Sequence, residues 1–154
     1  MVAELRNHQT TISEKGVFKM DRIVGDVMHR GVLTCRPTLS IQDVAHQMTT
    51  RDVSALVVVD SDESLLGLVS RTDLVGAQIR ENQGEGMVKF TVKEIMVTNI
   101  VSVSPNDTIE HASKLMINHK IHRVVVTEEH GGKQRPIGIL SITDLVREMA
   151  RKKD

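Results

Sequence analysis

Leu66-Gly67-Leu68-Val69-Ser70-Arg71-Thr72-Asp73 occurs a second time, as Ile137-Gly138-Ile139-Leu140-Ser141-Ile142-Thr143-Asp144. Each copy is a short apolar run, a serine, two residues and an aspartate, followed by a helical pattern. That order reads as a buried strand running directly into a helix. The serine falls at the strand end and the aspartate in the first helical turn. A hydroxyl and a carboxylate there can cap the helix, or they can hold a ligand lying on its N-terminus.

The repetition extends well beyond the motif. An offset of 68 places Met96 on Met28, Pro105 on Pro37, Ile109 on Ile41, Met116 on Met48 and Val125 on Val57. The motif aspartates are 71 apart, so the second copy carries three extra residues between its strands. They fall in Glu128 to Pro136, a polar, Gly-containing turn of the kind that tolerates insertion. The chain is therefore a tandem repeat.

Within each copy the pattern is strand, helix, strand, strand, helix. Val32 to Arg36 is extended and Pro37 ends it, because proline has no N–H for a ladder. Ser40 is placed to cap a helix whose apolar face is Ile41, Val44, Ala45 and Met48. Ala55 to Val59 is a β-branched run suited to a strand buried on both faces. Asp60 to Ser64 is a polar turn, and the motif helix is expected from about Thr72 to about Arg80. In the second copy, Asp107 with Glu110 marks a helix start, and Ile109, Ala112, Leu115 and Met116 form its apolar side. A last helix runs from Ile142 to about Arg151, where Arg151-Lys152-Lys153 suits a C-terminus. The expected organisation is an N-terminal arm over 1–20, repeats over 21–80 and 91–152, and a Gly-containing linker over 81–90. Two such units, each too small to bury a core alone, would pack about a pseudo-twofold axis through their sheets as one α+β globule with two equivalent clefts.

Composition bounds the function. The chain is 154 residues long, 40% hydrophobic and 26% charged, with a formal net charge of zero. No general electrostatic pull towards nucleic acid or anionic lipid follows. Two Phe, no Tyr and no Trp leave no aromatic platform for stacking bases. The single cysteine, Cys35, excludes an internal disulfide and a thiolate zinc cage, and reads as a small core hydrophobe. No apolar run reaches transmembrane length and the start lacks a signal-peptide core, so a cytoplasmic location is expected. There is no nucleophile–base constellation, no Gly-rich phosphate loop and no His-Glu-x-x-His pair, so no enzyme activity is expected.

With both Gly-x-x-Ser-x-x-Asp motifs in register, the chain resembles a tandem pair of cystathionine-β-synthase (CBS) domains, a Bateman module, over roughly residues 21 to 150. Val24-Gly25-Asp26-Val27-Met28 and Val92-Lys93-Glu94-Ile95-Met96, Pro37 and Pro105, and the Val-rich strands carry the same resemblance. It implies a non-catalytic module that binds AMP, ADP, ATP or a related adenosyl ligand between the repeats, pairs through its helices into a homodimer, and regulates a partner protein. It also implies that Asp73 and Asp144 accept hydrogen bonds from a ribose diol, with Ser70 and Ser141 at the phosphate or ribose edge beside Arg71, Thr72 and Thr143. Thr34 with Arg36, and Ser102 with Ser104, would flank the adenine, and His122 and Arg123 would meet phosphates.

The chemistry is self-consistent. One ionised carboxylate accepts both donors of a diol, and a guanidinium or a helix N-terminus suits phosphate. The copies differ where Arg71 meets Ile142 and where Arg123 meets Ala55, so the two clefts are expected to bind unequally. Two other readings share these residues: a pairing scaffold without ligand, and a cleft for S-adenosylmethionine or a dinucleotide.

Overall fold

A computed structural model describes residues 19–84 and 89–151. Most of the expected N-terminal arm, the centre of the expected linker and the basic residues after Arg151 lie outside the described residues. The order is a 3-10 turn at Val24–Asp26, β1 (His29–Arg30), β2 (Thr34–Cys35), α1 (Ile41–Arg51), β3 (Ala55–Val59), β4 (Leu65–Ser70) and α2 (Arg71–Gln83). It continues with α3 (Val92–Ile95), β5 (Ser102–Val103), α4 (Ile109–His119), β6 (Arg123–His130), β7 (Lys133–Ser141) and α5 (Ile142–Ala150). The mixed α+β repeat is as expected, with a short leading turn added to each copy. Among the described residues no helix is long and apolar enough to cross a membrane.

Local chemistry fixes the helix ends. Ser40 Oγ accepts from the Asp43 N–H at 3.2 Å, the expected cap. In the second repeat the cap is Thr108, whose hydroxyl accepts from the His111 N–H at 3.1 Å. Asp107, expected in that role, instead accepts from the Ser104 N–H at 2.8 Å and closes the preceding turn. Ile41, Val44 and Met48 are buried, but Ala45 is exposed, because the core covers only the narrower side of α1. Helix α2 runs three residues beyond its expected end at Arg80. Glu81 is buried there and accepts from the Phe90 N–H at 2.7 Å, while Arg80 stacks on the Phe90 ring.

The sheets are β2-β3-β4 and β1-β7-β6-β5, with β2–β3 and β5–β6 parallel and both hairpins antiparallel. All five residues of β3 are buried, and the strand's period of two explains how. Leu56 and Val58 join the first repeat's core, whereas Ala55, Val57 and Val59 point to the opposite face. The three extra residues of the second copy are strand rather than loop. Gly131 and Gly132, both at positive φ, make a two-residue turn that carries the β6–β7 ladder out to the His130–Lys133 pair. The tip reaches the other repeat, where Lys133 pairs with Asp62.

Each repeat's leading segment crosses to the other repeat. β1 pairs with β7 through His29 and Ile139, and Val97 bridges to Leu68 on β4. The Gly25 N–H donates to the Pro105 carbonyl, and the Lys93 N–H donates to that of Pro37. These bonds are equivalents under the repeat offset, as a twofold relation between the copies requires. The core thus lies in two clusters, each completed by the other half. Val24 and Met28 enter the cluster of Ile109, Met116, Val124, Val126 and Leu140. Val92 enters that of Val44, Met48, Leu56, Val58 and Val69.

Candidate functional site

Both motifs form capping boxes. Ser70 Oγ accepts from the Asp73 N–H at 3.3 Å, while Asp73 Oδ2 accepts from the Ser70 N–H at 2.9 Å. At the second motif the same pair of bonds measures 3.0 and 2.8 Å between Ser141 and Asp144. The cap uses one carboxylate oxygen in each case. Among the described residues, Asp73 Oδ1 makes no hydrogen bond or ion pair. Asp144 Oδ1 lies 3.4 Å from His29 Nε2 and 3.8 Å from Arg147 Nη1.

Each aspartate lines a cleft closed by the other repeat. The Asp144 cleft, about 450 Å³, is completed by His29, Gly31 to Leu33 and Asp52 to Ala55 of the first repeat. The Asp73 cleft, about 350 Å³, is completed by Val97, Asn99 to Val101 and Lys120 to Arg123 of the second. Under the offset of 68 these walls are the same segments of the two copies. The turn between helix and strand is built on a left-handed residue in both, Asp52 at φ 51° and Lys120 at φ 54°.

The structure brings Ser70, Thr72, Asp73, His122 and Arg123 together in one cleft, and Ser141, Thr143, Asp144 and Arg123 in the other. The remaining expected residues lie elsewhere. Thr34 pairs with Val57 on the edge strand β2, because the cleft wall is the segment preceding β2 rather than the strand itself. Arg36 pairs with Glu63 at 2.6 Å and with the Asp60 carbonyl, across the hairpin turn. Ser102 and Ser104 line a separate groove beside Thr127 to His130. Arg71 reaches towards Asp52 at 3.8 Å, at the margin of the Asp144 cleft. Cys35 is buried in the first core, and burial pushes its thiol up to about 11, leaving it protonated and unreactive.

Sequence reasoning missed His29, Asp52, Ser54, Lys120 and Arg147. The offset that matched the prolines also sets Lys120 on Asp52 and His122 on Ser54. At four consecutive equivalent positions the Asp73 cleft therefore receives Lys120, Ile121, His122 and Arg123, where the Asp144 cleft receives Asp52, Val53, Ser54 and Ala55.

Comparison with known proteins identifies the family. The chain is 33% identical over 125 residues to the CBS domain-containing protein YhcV of Bacillus subtilis, covering 79% of this chain and 81% of that protein. It is 26% identical over 124 residues to the uncharacterized protein MK0525 of Methanopyrus kandleri, covering 80% of this chain and 61% of that one. Some other curated relatives are far longer, and the chain spans 24% of their length. The crystal structure of CBSX2 in complex with AMP superposes with a TM-score of 0.69 at 28% identity, covering 82% of this chain and 94% of that one. The CBS-domain family model matches residues 24–80 and 92–151, and the chain belongs to that family as a tandem CBS pair.

Proposed function

We propose that this CBS pair is a regulatory, non-catalytic module that binds AMP, ADP or ATP in its aspartate clefts and signals to a partner protein. One observation carries the reading: each cleft sets the motif carboxylate of one repeat against the turn and strand of the other. A ligand there touches both repeats, so it favours whichever arrangement of them closes the cleft best. Asp73, with one oxygen in the cap and one without a partner among the described residues, suits a ribose diol. Lys120, His122 and Arg123 suit the phosphate end, and where this cleft has Lys120 the other has the acidic Asp52, so nucleotide binds more tightly beside Asp73 than beside Asp144. The AMP complex of CBSX2 supports the ligand class.

Val75 and Ile79 on α2, and Val146 and Met149 on α5, are more than half exposed. They occupy corresponding faces of the two motif helices and fit the same face of a second copy, giving a homodimer. Sedimentation of Val75→Glu/Val146→Glu beside the wild type tests that pairing.

A pairing scaffold without ligand is favoured by the capping boxes, which account for the serines and aspartates on their own. Thermal melting separates the two readings. At about 100 Kd, AMP, ADP or ATP adds ~2.7 kcal/mol of stability to a binding module. A scaffold melts at the same temperature with and without nucleotide.

A further inference from the structure

Arg123 is the only described residue that lines both clefts. It opens β6, at the position where the first repeat has Ala55, so the basic side chain has no counterpart across the pseudo-twofold. Its Nη2 donates to Ser54 Oγ at 3.0 Å, which carries the guanidinium over to the first repeat and into the Asp144 cleft. From the other side it borders the Asp73 cleft beside Lys120 and His122. The side chain is half-buried and, among the described residues, its hydrogen bond is to a neutral hydroxyl, which an anion readily displaces.

We infer that Arg123 couples the two clefts, so that a phosphorylated ligand in one weakens binding of a phosphorylated ligand in the other. This rests on the nucleotide-binding reading above and adds a regulation to it. The first phosphate draws the guanidinium and leaves its own excess negative charge beside the second site. The second phosphate then meets an occupied cation and a nearby anion, where the first met a cation at rest. A nucleoside without phosphate makes no such demand, so adenosine fills both clefts without this penalty. The coupling is reciprocal, with the same factor whichever cleft fills first. Its consequence is a graded response: the Asp73 cleft, which has Lys120 where the other has the acidic Asp52, fills at low nucleotide, and the Asp144 cleft fills only at much higher concentration.

Calorimetric titration of the full chain with AMP and with adenosine tests this, in the wild type, Arg123→Gln and Arg123→Lys. Wild type binds two AMP with stepwise constants separated roughly tenfold more than those for adenosine. In Arg123→Gln the AMP separation falls towards the adenosine value, and Arg123→Lys, which keeps the charge, retains part of it. Two adenosines but a single AMP per chain is the strong limit of the same coupling. The inference is overturned if AMP and adenosine show equal separations in the wild type, if the AMP separation is undiminished in Arg123→Gln, or if one molecule of each binds per chain. Binding of neither ligand overturns the nucleotide reading itself, and is distinct from two independent AMP sites, which overturn the coupling alone.

Discussion

Gly138 lies so close to His29 that a Cβ built on it would stand 2.5 Å from the His29 carbonyl oxygen and 3.0 Å from Met28 Sδ. Gly67 stands in the equivalent relation to Val97, at 2.8 Å from its carbonyl oxygen. The glycine of each motif is therefore what admits the crossing segment of the other repeat. In both cases the obstructing atom includes backbone, which cannot swing aside. Gly138→Ala is expected to push β1 off β7 and to lower stability by about 1–3 kcal/mol, the usual cost of overpacking. Urea denaturation reads it as a lower midpoint; an unchanged midpoint would show that the close approach is dispensable.

The capping boxes allow the carboxylate charge to be removed without removing the cap. Asparagine at position 73 keeps an oxygen for the Ser70 N–H, so Asp73→Asn should change the unliganded melting by less than ~1 kcal/mol. The same variant should lose most of the AMP-induced stabilisation, whereas Asp144→Asn should lose less, because His29 and Arg147 already flank that carboxylate. Equal losses in the two variants would contradict the unequal roles given to the clefts.

Arg22, at the start of the first repeat, pairs with Glu148 on α5, which also meets Arg151 at 3.1 Å. The hydrogen bond from Arg22 holds the mostly buried Glu148 carboxyl below the ordinary glutamate range. A depressed folded-state value means that the pair stabilises the protein fully above the unfolded value of about 4.3 and ceases to do so as pH falls through the lower folded value. Glu148→Gln should therefore destabilise the protein at neutral pH, and the difference from wild type should shrink in acid below about pH 4. A difference independent of pH would place the stabilisation in packing rather than charge.

Much of this fold is legible in the chain because periodicity and capping are local. Ser40, the β3 run and the two motif helices follow from spacing alone. The crossing of the leading segments is not legible, since it depends on a two-residue strand whose partner lies about 110 residues away and on a single bridge between Leu68 and Val97. The same reason accounts for the expected site residues that lie outside the two clefts. Thr34, Arg36, Ser102 and Ser104 have suitable chemistry, but the cleft wall is the segment before each strand, and only the packed pair of repeats reveals which residues face it. Asp52 and Lys120 escaped notice because a left-handed helix end usually announces itself with glycine or asparagine, and neither is present.

Co-crystallisation with AMP addresses the central claim most directly. The account predicts the ribose 2′- and 3′-hydroxyls within hydrogen-bond distance of the Asp73 carboxylate, and the phosphate beside Arg123. AMP seated away from both aspartates, or both clefts without AMP at millimolar concentration, would contradict it.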